Sequence, residues 1–103
     1  MLRALVLAFA LAAAAGAPPA QAESTPDVVM YATSWCPYCA QARAYFARAG
    51  IAYVEHDVEK SARANAAFKR LGGRGVPLIV VGREKLNGFS EQGFEHLLAH
   101  AAR

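Results

Sequence analysis

Glycines interrupt the chain at Gly50, Gly72-Gly73 and Gly82, and the pieces between them alternate in character. Asp27-Val28-Val29-Met30-Tyr31 is a short apolar run that can be covered on both faces, as a central strand is. Pro37 to Ala49 is rich in the helix formers Ala, Arg and Gln. Its proline stands in the first turn, where no intrahelical bond is lost, and Gly50 stands where a left-handed cap is wanted. Ile51 to Asp57 restores β-branched and aromatic residues, and Lys60 to Leu71 is again Ala-rich, closed by Gly72-Gly73. Leu78-Ile79-Val80-Val81 is the most apolar short run beyond the leader, and Gly82-Arg83-Glu84 turns it into Lys85-Leu86-Asn87. Ser90 caps a last helix whose Phe94, Leu97, Leu98 and Ala101 fall at i, i+3, i+4 and i+7. The order is β-α-β-α-β-β-α. Its first three elements make a parallel unit, and the closing hairpin can join that sheet only in the opposite direction. The expectation is one α/β domain: a four-stranded mixed sheet with helices on both faces.

The first 22 residues read as an address. Met1-Leu2-Arg3 carries a positive charge, Ala4 to Ala15 is unbroken apolar sequence, and Gly16-Ala17-Pro18-Pro19 precedes the small-x-small box Ala20-Gln21-Ala22. Cleavage after Ala22 is expected, leaving a domain over 23–103 exported to a bacterial periplasm. The apolar stretch is shorter than the roughly 20 residues that span a bilayer. The whole chain has a net charge of +3, of which Arg3 belongs to the leader. The remaining cations are scattered along the sequence rather than massed, so no nucleic-acid partner is expected. Export bears on the cysteines, because outside the cytoplasm a dithiol is oxidised unless something keeps it reduced.

The chain has two cysteines, Cys36 and Cys39, at the start of the first helix. A spacing of i, i+3 puts both sulfurs on one side of the first turn, close enough to bridge. Free backbone N–H groups and the helix dipole favour an anion at Cys36. Cys36 is thus suited to act as nucleophile, and Cys39, one turn inside, to resolve a mixed disulfide by attacking it. Two other roles exist for such a pair. A soft-metal carrier would hold Cu(I) or Zn(II) between the thiolates, although two sulfurs make an incomplete zinc site. A permanent staple would close so short a loop that it removes little unfolded-state entropy.

Cys36-Pro37-Tyr38-Cys39 after a first strand, with Val76-Pro77 before the third, resembles the glutaredoxin branch of the thioredoxin-fold oxidoreductases. The likeness runs from about Val28 to His100. It implies a thioredoxin-like fold and a monomer without a resident cofactor or metal, exchanging thiols for disulfides through Cys36 and Cys39. It also implies a cis peptide at Val76-Pro77, with Pro77 beside the sulfurs and the Val76 backbone free to pair with a substrate strand. Trp35 before Cys36 resembles the Trp-Cys start of thioredoxin sites, where the ring serves protein contact; a loop aromatic packed on the sheet edge is the other reading. By resemblance the substrate surface comprises Trp35, Pro37, Tyr38, Val76, Pro77, Gly88 and Phe89, the last divided between contact surface and core.

Two departures concern the substrate. Family members that use glutathione usually carry lysine three residues before the first cysteine, where this chain has Thr33. They also carry a Gly-Gly pair where this chain reads Asn87-Gly88-Phe89-Ser90-Glu91. The Gly-Phe form is more similar to glutaredoxin-like electron donors that exchange with proteins independently of glutathione. The expectation is a reductase of protein disulfides supplied by a membrane-linked redox partner. Glutathione would be held at most weakly, through Tyr38, the Val76 backbone and Gly88. His96 and His100 have a spacing that can hold a metal but no evident third ligand, and are read, like His56, as surface residues. Arg43 and Arg48, on the helix that follows the cysteines, could add some positive potential near the thiolate, but surface charge on an amphipathic helix is the default reading.

Overall fold

The computed structural model describes residues 27–102; the leader read in residues 1–22, with its cleavage point, lies outside them. The elements are β1 (Val28–Ala32), α1 (Pro37–Ala49), β2 (Val54–Asp57), α2 (Ala62–Arg70), β3 (Leu78–Val81), β4 (Glu84–Asn87) and α3 (Glu91–Ala101). They form one sheet in the order β2-β1-β3-β4, with β1 parallel to β2 and antiparallel to β3, and β3 antiparallel to β4. This is the expected mixed sheet.

Strand alternation separates two cores. Val28, Met30 and Ala32 of β1 join Ile79 and Val81 of β3 on the face covered by α1 and α3, where Phe46, Phe94 and Leu97 pack. Val29 and Tyr31 join Leu78 and Val80 on the other face, under Phe68 of α2. A strand whose both parities are apolar needs cover on both sides, and the helices supply it. Phe46 is fully buried, with the rings of Tyr53 and Phe94 at 4.6 and 5.1 Å. It locks α1 to α3 and to the approach of β2.

Two starts move by two residues or more from their expected places, each for a hydrogen-bonding reason. β2 begins at Val54 rather than Ile51 because the Ile51 N–H returns to the Phe46 carbonyl at 2.9 Å, closing α1 beyond left-handed Gly50 (φ 68°). α2 begins at Ala62 rather than Lys60 because Asp57 Oδ1 accepts the N–H groups of Glu59 and Lys60 at 2.8 and 2.9 Å, holding a turn. Those bonds, Lys60 first, hold the Asp57 carboxyl below its ordinary range. Ser61 then caps α2 through the Ala64 N–H, and Ser90 caps α3 through the Gly93 N–H, each at 3.0 Å. No helix among the described residues is long and apolar enough to cross a membrane.

Candidate active site

Cys36 is the N-cap of α1, in extended conformation (φ −76°, ψ 122°). Its sulfur takes the place that a serine or aspartate oxygen takes at other helix starts, accepting the Cys39 N–H at 3.2 Å. On its other side the thiol donates to the Val76 carbonyl oxygen at 3.5 Å. The Val76-Pro77 peptide is cis, as the resemblance implied, and the Pro77 carbonyl accepts the Gly88 N–H at 2.8 Å. Two separate segments thus meet at the sulfur, the α1 entrance and the Val76-Pro77 loop, and the residue after β4 holds that loop from behind.

Cys39 is wholly buried, and Cys36 keeps only 4% of its surface exposed. The order of exposure is the expected one, but the leading sulfur lies deeper than a helix mouth alone suggests, because the Val76 loop covers it. Around this narrow opening stand Pro37, exposed, and two large apolar side chains, Trp35 at 66% and Tyr38 at 58% exposure. Trp35 is not packed on the sheet edge; its indole N–H donates to Glu59 Oε1 at 3.0 Å and leaves the ring open to solvent. Phe89 is partly in the core and partly at the surface. It is half-buried against Tyr45 and Phe46, at 5.7 and 6.2 Å, and it also lines a groove with Tyr38, Gln41 and Arg48.

Both cysteines are free thiols. Burial pushes the Cys39 thiol up from 9.0 to about 12, helped by its hydrogen bond to Cys36 and opposed by a backbone bond from Thr33 and the Arg43 charge. Cys39 therefore holds its proton at neutral pH.

Arg43 is more than the surface charge expected by default: it lies close enough to the sulfurs to oppose the rise of the Cys39 thiol, and it has a structural partner that the sequence did not reveal. Its guanidinium grips Glu55 of β2 in bidentate fashion at 2.7 and 2.9 Å, and its Nη2 also donates to the Thr33 carbonyl at 2.9 Å. One planar fork thus ties α1 and β2 to the loop that delivers Cys36. The available signal was position: Arg43 follows Cys39 by one helical turn, on the face toward the sheet. Arg48 is a surface residue, paired with Glu91 at 2.8 Å and lying 5.6 Å from the Tyr45 ring centre. Thr33 is buried at 2% exposure, and its hydroxyl has no partner among the described residues. That position therefore presents no cation to a ligand.

His100 Nδ1 donates to the His96 carbonyl at 2.9 Å, and His56 lies exposed on β2 with its ring 5.3 Å from Tyr31. No group of three or more metal-ligating side chains occurs among the described residues.

The glutaredoxin family model matches residues 28–86, a span that includes Cys36, Cys39 and Val76-Pro77. Among curated proteins, a glutaredoxin of Neisseria meningitidis is 36% identical over 66 residues, covering 62% of this chain and 78% of that protein. A glutaredoxin of Pseudomonas aeruginosa is 37% identical over 65 residues, covering 61% of this chain and 76% of its own length. The crystal structure of a glutaredoxin from Archaeoglobus fulgidus superposes with a TM-score of 0.61 over 81% of this chain and 97% of its own, at 21% identity, which bears on fold alone. The match over the sheet, the helix-capping cysteine pair and the cis proline together place the chain in the glutaredoxin family, as a thiol-disulfide oxidoreductase-type protein.

Proposed function

We propose that the chain is an exported reductase of protein disulfides. The observation that carries this reading is the Cys36 sulfur, held between the Cys39 N–H and the Val76 carbonyl. A substrate strand that pairs with Val76 supplies an N–H to that carbonyl, takes over the acceptor used by the Cys36 thiol, and frees the sulfur for attack. Cys36, as thiolate, then attacks one sulfur of the target disulfide. The target S–S bond breaks, its second sulfur leaves and takes up a proton, and a mixed disulfide joins Cys36 to the target. Cys39 gives up its proton and attacks Cys36 Sγ, and the remaining target sulfur leaves as a thiol. Two electrons have passed to the target, and Cys36 and Cys39 are left as a disulfide.

Protein rather than glutathione is the proposed substrate because two features needed for a small anionic tripeptide are altered. Thr33 is buried where a cation would bind a carboxylate, a charge-assisted contact worth about 1.5 to 3 kcal/mol. Phe89 stands beside Gly88, and Trp35 and Tyr38 form an apolar rim suited to a protein surface. Export rests on the leader pattern in residues 1–22, and it requires a membrane-linked donor to regenerate the dithiol.

The test is insulin reduction in the presence of a thiol reductant. Cys36→Ser should abolish activity, and Cys39→Ser should accumulate a mixed disulfide detectable by mass. Reduction that persists without Cys36 overturns the proposal. A reduction potential well above those of known reducing proteins would reverse the direction to oxidase. Stoichiometric copper in anaerobically purified protein would replace it with the carrier reading.

A further inference from the structure

The cations that look scattered along the sequence are gathered by the fold onto one face. Lys60, Arg63, Lys69, Arg70 and Arg74 lie in α2 and its flanks. Lys85 of β4 stands opposite Val80, whose side chain faces α2, and its ammonium reaches the Leu71 carbonyl at 3.1 Å. The opposite face is balanced, with Arg43 paired to Glu55 and Arg48 to Glu91. On the α2 side the one ion pair among the described residues is Lys60 with Asp57, at 4.0 Å. Glu59 is engaged by the Trp35 indole, and α2 itself contains no acidic residue. The excess positive charge of the chain is therefore a property of this face.

The centre of the face is concave. Arg63 and Arg70, two turns apart on one side of α2, flank a cleft with His56 on its wall and Tyr31, Ala64 and Ala67 as its floor. The face also adjoins the exchange site at both ends of the α2 region. Lys60 follows Glu59, which holds Trp35 beside Cys36. Arg74 is anchored through its N–H to Asn87 Oδ1 at 3.3 Å, two residues before the Val76 carbonyl that meets Cys36.

We infer that the α2 face docks an acidic surface of the protein whose disulfide Cys36 exchanges, with carboxylates of the partner between Arg63 and Arg70. This rests on the reading of the chain as an oxidoreductase of protein disulfides. A protein suits the surface better than an anionic bilayer does. The cleft accepts projecting side chains, and the exposed apolar anchors Trp35 and Tyr38 flank the exchange site rather than α2, where a membrane would need them. Charges of this kind act mainly on association rate and on salt dependence.

The experiment uses two synthetic peptides with the same intramolecular disulfide, one flanked by glutamates and one by lysines, together with uncharged 2-hydroxyethyl disulfide. Pre-reduced wild-type protein in a single turnover should reduce the glutamate peptide with a second-order rate constant about tenfold above that for the lysine peptide at low salt. The preference should vanish at about 0.5 M salt, where screening shortens to a few ångström. The triple variant Arg63→Gln, Lys69→Gln, Arg70→Gln should lose the preference while reducing 2-hydroxyethyl disulfide at the wild-type rate. Fluorescence anisotropy of a labelled glutamate peptide lacking the disulfide reads docking without redox chemistry. Its affinity should fall about tenfold or more in the triple variant. Anisotropy binding without any reduction would sink the oxidoreductase reading and leave the docking surface standing. Equal reduction of both peptides, or a preference that survives in the triple variant, overturns the inference. Binding to anionic phosphatidylglycerol vesicles without a peptide preference also overturns it, in favour of a membrane.

Discussion

In the proposed exchange, burial of the Cys39 thiol makes the second half of the reaction sensitive to pH. With Cys39 pushed up to about 12, the thiolate fraction in the resting dithiol at neutral pH is about one in 10⁵. Two of its causes, the hydrogen bond to Cys36 and the repulsion by the Cys36 charge, disappear once Cys36 is tied up in a mixed disulfide. Burial, the largest cause, persists. Cys39 in the intermediate thus gives up its proton more readily than in the resting dithiol, while burial still holds it up, and attack remains limited by its deprotonation. With saturating 5,5′-dithiobis(2-nitrobenzoate), stopped-flow release of the second thionitrobenzoate reports this step alone. Its rate should rise about tenfold per pH unit between about pH 6 and about pH 8.5. Cys39→Ser should release one equivalent and stop. A second phase independent of pH across that span would refute the claim that burial governs the resolving sulfur. The same proton contributes to stability. The reduced fold binds it more tightly than the unfolded chain does, so the contribution is whole below pH 9.0 and is lost as pH rises toward about 12. Thermal melts should show that alkaline loss in the reduced protein and not in Cys39→Ser.

Phe46→Ala empties the centre of the aromatic cluster between α1 and α3 and should cost about 3 to 5 kcal/mol in urea unfolding; a loss under 1 kcal/mol would mean the cluster is not the core. A methyl at Gly73 would meet the Phe68 ring, the main anchor of α2, so Gly73→Ala should cost about 1 to 3 kcal/mol, and Phe68→Leu should recover part of it if the clash is the cause. Arg43→Gln should lower stability by about 1 kcal/mol, discounted for the part-exposed pair with Glu55, as measured by chemical unfolding. Arg43→Lys should restore less than half of that, because one ammonium cannot hold Glu55 and the Thr33 carbonyl in the same plane; full rescue by lysine would refute the bidentate role.

Much of the fold was legible because local signals agreed with one another. The helix Pro37–Ala49 and the strand Leu78–Val81 appear at their expected bounds, since proline, glycine and apolar runs act over a few residues. The starts of β2 and α2 were not legible. They depend on where particular N–H groups go, at Ile51, Glu59 and Lys60, and composition does not reveal that. In the site, the cysteine spacing announced dithiol chemistry, whereas Arg43 looked like any surface arginine until β2 brought Glu55 beside it.

The sequence by itself determined the order of the elements and put a sulfur at a helix N-cap, because helix starts and strand alternation are written in neighbours a few residues apart. Tertiary structure alone decided what surrounds that sulfur. The Val76 carbonyl reaches Cys36 across a separation of 40 residues, and the sheet, not the chain order, collects the cations of α2 and β4 onto one face. Both depend on which strands pair and which side chains share a face, and no local pattern encodes that.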